Sequence, residues 1–226
     1  MRRWFTLSAL FFVASVAVGG DLATFENLGF SPSGDVFVFG QYGVTGDQSA
    51  PFAEIYAVDV AGNRFLAGGT FSFSSDAPLS LGQDGRGALY ALLGDARRTI
   101  ERENVDHLQT GRPVYILVDG ETPPERLSFR DFVAETRYDV RLTQQSRAAG
   151  ESTEAAFSID LTLTRGDAVQ TLTIGRPGLF RDDVESYRIT QIIAGPRNQS
   201  VVFVVEKRSA DGSVRYMVET ASIGAP

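Results

Sequence analysis

The chain has 226 residues, a formal net charge of −7, 43% hydrophobic and 11% aromatic residues, and no cysteine. That inventory suffices for a packed core and excludes a disulfide framework, thiolate metal sites and a thiol nucleophile. The acidic balance also argues against nucleic acid as a partner, because neutralising phosphates takes a basic surface. The basic residues are twenty arginines and a single lysine, Lys207, a bias that reads as coding composition rather than as a binding site.

The chain opens as a secretory signal peptide. Arg2 and Arg3 precede an apolar run from Trp4 to Val18 broken only by Thr6, Ser8 and Ser15, and small residues reach Gly19 and Gly20. Cleavage after Gly19 is preferred to cleavage after Gly20. The run is about fifteen residues, short of the roughly 18–20 that cross a bilayer, so no stable membrane span is expected after cleavage. Residues 1–19 are thus read as the signal, and 20–226 as a single β-rich domain, secreted or periplasmic. Removing Arg2 and Arg3 leaves 19 basic against 28 acidic residues, a mature charge of −9. Without disulfides, such a domain must hold together by packing and backbone hydrogen bonds alone.

Most of the mature chain has the period of strands. Leu28-Gly29-Phe30 leads into a turn at Ser31-Pro32-Ser33-Gly34, and Val36 to Phe39 forms a strand apolar enough to be covered on both faces. A glycine-rich loop from Gly40 to Pro51 joins it to the strand Phe52 to Val60. A third strand is expected over Phe65 to Ser75, anchored by Phe65, Phe71 and Phe73. The one main helix is predicted over Gly85 to Asn104, where Leu89, Leu92, Leu93, Ala96 and Ile100 form a single apolar stripe. Asp84 is placed to cap it, and Arg97 with Glu101 to pair on its solvated face.

Beyond the helix, Pro113 to Val118 reads as a short strand. Ala134 to Thr143 alternates as a half-exposed strand, and a polar loop, Gln144 to Thr153, leads to its partner, Ala155 to Thr164. Arg165-Gly166-Asp167 turns the chain into Val169 to Ile174, completing a meander. The last unit comprises Tyr187 to Ile193, a turn at Gly195-Pro196-Arg197-Asn198, Val201 to Val205, the Asp211-Gly212 turn, and Val214 to Val218. Aligning Pro196 with Pro32 sets Val201-Val202-Phe203 against Phe37-Val38-Phe39, so two related hairpin units stand at the ends of one domain.

The first unit, Leu28 to Phe39 followed by Glu54-Ile55-Tyr56-Ala57-Val58-Asp59, resembles a blade repeat of the TolB-like propeller proteins. The whole layout is similar to a family of bacterial predicted secreted proteins of unknown function. That resemblance implies export and a soluble β-rich fold, and it carries over no catalytic residue. Two copies of the unit are too few for a propeller, which needs about four blades. The expected fold is therefore mainly β with one main helix, antiparallel hairpins and a meander, as an open sheet or sandwich rather than a closed propeller.

Candidates for chemistry are few. His107, the only histidine, follows the helix and is best placed to meet its carboxyl end or a carbonyl; no Gly-x-Ser-x-Gly elbow accompanies it. The cluster Asp182-Asp183-Val184-Glu185 lacks the alternating spacing of a calcium loop. The loop Gly40 to Gly46 lacks the lysine and following helix of a phosphate loop. No cofactor or metal is expected. The leading expectation is a non-catalytic binding module that presents the loops Tyr42 to Pro51 and Gln144 to Thr153, with Tyr42, Gln48 and Phe52 as contacts, to an envelope or extracellular protein or glycan. The alternative is a carboxylate-dependent hydrolase of envelope polysaccharide, which needs two carboxylates about 5–10 Å apart in a cleft, one with a raised pKa.

Overall fold

The computed structural model describes residues 20–118, 120–150 and 152–224, so the expected signal peptide, 1–19, lies outside the described residues. In chain order the elements are β1 (Leu22–Phe30), β2 (Val36–Val44), β3 (Pro51–Asp59), β4 (Arg64–Ser74), α1 (Arg86–Arg102), β5 (Arg112–Ile116), β6 (Arg126–Asp131), β7 (Thr136–Ala149), β8 (Ser152–Arg165), β9 (Ala168–Gly175), β10 (Ser186–Ala194), β11 (Ser200–Arg208) and β12 (Val214–Ser222). They form an eight-stranded sheet in the order β4-β3-β2-β1-β12-β11-β10-β5 and a four-stranded sheet, β6-β7-β8-β9. The fold is mostly β with one α-helix among the described residues, and the sheets are open, closed into neither barrel nor propeller.

The large sheet is two antiparallel meanders, β1–β4 and β10–β12, joined at one seam, with β5 added at the outer edge of the second. There β1 and β12 run parallel, with Leu22 opposite Val214. The two hairpin units seen in the sequence are the beginnings of these meanders: Leu22–Phe30 and Val36–Val44 recur at the same lengths and spacing as Ser186–Ala194 and Ser200–Arg208. Each hairpin carries an irregularity in its first strand. Their proline turns meet, with Arg197 Nη2 donating to the Pro32 carbonyl at 2.9 Å.

Alternation along each strand then sets the layering. On β2, Phe37 and Phe39 pack with Phe30 and Val58 against Val202 and Val204 of β11, Ile193 and Val218, forming the core between the meanders. The opposite face, Val36 and Val38 with Ala53, Ile55 and Ala57 of β3, is covered by Ala88, Leu89, Leu92, Ala96 and Ile100 of α1. On β11, Val201, Phe203 and Val205 turn away from the first meander and are covered by Val140, Leu142, Phe157, Ile159 and Leu161 of the small sheet. The meanders thus stack in the same sense, and each would leave one apolar face in water. The helix closes one end of the stack and the small sheet the other.

Local expectations mostly hold. The helix stripe is buried, with Leu93 partly so, and Arg97 Nε donates to Glu101 at 2.7 Å on the exposed side. Gly85 occupies the capping position, and the Asp84 carboxylate accepts from the Arg86 amide at 2.9 Å. The polar segment Gln144 to Thr153 is not an open loop. β7 and β8 continue through it, pairing Gln144 with Phe157 and Ala149 with Ser152. A hairpin projecting into water needs only its backbone ladder, so no apolar alternation marks its outer half.

Candidate functional site

The cleft begins where the seam opens. Beside the β1–β12 junction lies a cleft of about 510 Å³, with the inner face of the first meander on one side and β12, Lys207 and the 176–181 segment on the other. Four aromatic rings cross the first meander in a row. Phe25 of β1 stacks on Phe39 of β2 at 5.7 Å, Phe39 on Tyr56 of β3 at 5.1 Å, and Tyr56 on Phe65 of β4 at 4.9 Å. The last three rings line the cleft, and Phe65, 49% exposed, forms its outer lip.

Two side-chain amides finish the edge of β12. Where a neighbouring strand would pair, Gln41 Oε1 accepts from the Tyr216 N–H at 2.7 Å and Asn63 Oδ1 accepts from the Thr220 N–H at 2.8 Å. The same amides hold the cleft's two carboxylates. Gln41 Nε2 donates to Glu54 Oε2 at 2.6 Å, and Asn63 Nδ2 donates to Glu219 Oε2. Strand alternation directs the intervening Val218 amide the same way, and Val218 lines the cleft.

The lining is cationic although the chain is acidic. Arg64, Arg176, Arg181, Lys207 and Arg215 face it, against Glu54 and Glu219. Several of these cations are engaged: Arg64 Nε with Asp59 at 3.1 Å, Arg215 Nη2 with Asp21 at 2.6 Å, and Arg181 Nη2 with Glu219 at 3.9 Å. Lys207 has no hydrogen-bonded or ion-paired side-chain partner among the described residues. Burial lowers its pKa, and Arg215 and Arg181 lower it further, against the weaker pull of Glu54 and Asp183. Burial raises the carboxyl of Glu219, opposed by Asn63, Arg181 and Arg176. Burial, with Glu54 beside it, also raises the phenol of Tyr56.

The residues singled out in the sequence lie elsewhere. Tyr42 is 6% exposed beneath α1, where its hydroxyl accepts from Arg86 Nε at 2.8 Å. Phe52 is 5% exposed, with the Arg215 guanidinium 3.7 Å above its ring. Neither stands at the surface as expected: β2 runs on to Val44 and carries Tyr42 on a covered face, and Phe52 lies in β3 opposite Gly43, under Arg215. Gln48 is exposed in the turn that follows. His107 Nδ1 bonds the Leu28 carbonyl at 2.6 Å, the structural role expected of it. In the acidic segment Asp182 and Asp183 are exposed while Val184 is fully buried, anchoring the chain before β10. Lys207 carries no local signal of a site, although its being the one lysine is visible in the sequence. No local pattern links it to Tyr56 or Phe65, which arrive from the other end of the chain.

These features define an open β-stack protein with a cation-lined, aromatic-walled cleft at its central seam. The chain belongs to the family described as predicted secreted protein (DUF2259), a domain of unknown function, matched over residues 38–222. That span runs from β2 into β12 and contains every residue named in the lining of the cleft. No curated protein and no solved structure matches the chain.

Proposed function

We propose that the protein is an exported binding module, secreted or periplasmic, that takes a glycan into the cleft between its meanders. The observation that carries this reading is the joining, in one cleft, of a stacked aromatic row and an excess of cations on an acidic protein. Ligand clefts of this size are built from apolar walls with a few polar groups that fix orientation. Aromatic faces offer flat apolar surface to sugar rings, and the cations complement acidic substituents. Export is supported by the family description and by the signal read in residues 1–19. The blade-like reading of the first unit belongs to the same proposal, supported by the stacking of two like meanders. Gln48, at an exposed turn, is kept as a contact for a protein partner of the same module.

Calorimetric titration of the purified protein with neutral and acidic oligosaccharides tests the reading. Saturable binding is expected, weakened about tenfold by Phe65→Ser with unchanged melting temperature. Failure of every oligosaccharide to bind at millimolar concentration overturns it.

A second reading has its own observation: Glu54 and Glu219 line one cleft, and burial raises the Glu219 carboxyl as a general acid requires. In this hydrolase reading Glu219 protonates a glycosidic oxygen. It ranks second because each carboxylate is held by a side-chain amide that a binding role explains equally well. Release of reducing ends from envelope glycans, abolished in Glu219→Gln, would reverse the order.

A further inference from the structure

We propose that Lys207 is the anion anchor of the cleft, seating the carboxylate or sulfate of an acidic saccharide whose ring lies along Tyr56 and Phe65; this rests on the cleft-binding reading above. Lys207 sits on β11 opposite Tyr187 of β10 and Arg215 of β12, at the cationic side of the cleft. Its neighbours have their charges met: Arg215 by Asp21, and Glu206 by Arg188 and Arg208. Lys207 alone among these charged strand neighbours makes no ion pair in the described residues: Glu54 and Asp183 attract it more weakly than Arg181 and Arg215 repel it. A half-buried ammonium with no anion in contact has lost hydration and gained little in return. An incoming anionic group supplies the missing partner at a site where water is already partly excluded, so its interaction exceeds that of a surface lysine.

The charged groups around Lys207 are consistent with one anion. Arg181 and Arg215 favour it, and Glu54 and Asp183 limit the net charge it can carry. The aromatic row on the facing wall gives the rest of the ligand a surface, which a free inorganic ion would not use. Both features together specify an acidic sugar rather than a simple salt.

The single lysine makes the test direct. In protein labelled with isotopic lysine, the side-chain signal belongs to Lys207 alone, and labelled phenylalanine and tyrosine report the aromatic wall. Three probes are titrated: oligogalacturonate, a sulfated oligosaccharide and neutral maltooligosaccharide. The Lys207 signal is expected to shift saturably with an acidic probe and not with the neutral one. Its titration midpoint should rise when the anion is bound, because pairing favours the ammonium. The carboxylated and sulfated arms identify the anionic group. Lys207→Gln should weaken the acidic probe about tenfold and leave the neutral one unchanged, and Lys207→Arg should restore acidic binding. If the aromatic signals move with an acidic probe while Lys207 stays still, the anchor is wrong and the cleft reading stands. If no signal moves with any probe, both fail. Because the labelled wild-type protein carries the measurement, misfolding of a variant does not blunt it.

Discussion

Arg112 and Asp131 form a two-pronged ion pair, Nη1 to Oδ1 at 2.8 Å and Nη2 to Oδ2 at 2.6 Å, that ties the edge strand of the large sheet to the edge strand of the small one. Arg112 Nη2 also reaches the Asn198 side chain at 3.0 Å, and Asp131 Oδ1 accepts from the Val133 amide at 3.0 Å. The carboxylate thus organises the turn after β6 while clamping two layers together. Burial would raise its pKa, but the Arg112 guanidinium and the turn amides outweigh burial and hold it below the ordinary carboxylate range.

Removing Arg112 leaves a charge buried without its partner. Arg112→Ala is expected to destabilise the protein by about 3 kcal/mol, and Asp131→Asn by less. The pH dependence follows from the depressed folded pKa. The stabilisation is complete above the unfolded carboxyl's value, about 4, and is lost as pH falls through the folded value. Urea unfolding at pH 7 and pH 3 checks both points: the gap between wild type and Asp131→Asn should narrow at the lower pH.

Two glycines should respond oppositely to alanine. At Gly43 a Cβ would be driven onto the Leu22 carbonyl beside the β1–β12 seam, and backbone cannot step aside. Gly43→Ala is therefore expected to cost about 3 kcal/mol. Gly94 lies on the exposed side of α1 with open space around it, so Gly94→Ala should stabilise by about 1 kcal/mol. Thermal melts of the two variants decide the matter.

Asn63 has left-handed backbone, φ 47°, and serves both Thr220 and Glu219 across the cleft. Asn63→Gly keeps the backbone conformation available and removes only the amide, so its effect isolates those hydrogen bonds. A loss of about 2 kcal/mol is expected, together with faster hydrogen exchange at the Thr220 amide. Unchanged exchange at Thr220 would show that the β12 edge does not depend on this cap.

Glu219 carries the opposite sign from Asp131. Its folded pKa is raised, so the folded state holds the proton more tightly, and stability falls as pH climbs from the ordinary carboxyl value through the folded one. Glu219→Gln lacks this penalty and still offers an oxygen to Asn63. It should match wild type near pH 4 and exceed it at pH 7, as measured by urea midpoints.

Alternating residues mark most strands, and the leucine-alanine stripe marks the helix to within two residues at either end. β6 escapes sequence patterning, because Leu127 and Phe129 are too few to establish a period before the Arg112–Asp131 clamp gives the strand its place. The outer half of β7 is hidden because its side chains face water on both sides. The recurrence of the proline hairpins is visible, but not the way they stack, with Phe39 turned toward Val204 and Val38 toward Leu89.

By itself the sequence determined the β-rich class, the main amphipathic helix, the two related hairpins and the reliance on packing without disulfides, since each of these is a matter of local period or composition. Only the tertiary structure decided what covers each face. Period 2 says which side chains share a side of a strand and nothing about which distant element meets them. That is why Tyr42 and Phe52, plausible as surface contacts, are buried, and why Lys207, which looked like a trace of coding bias, lies across the cleft from an aromatic wall built more than a hundred residues earlier in the chain.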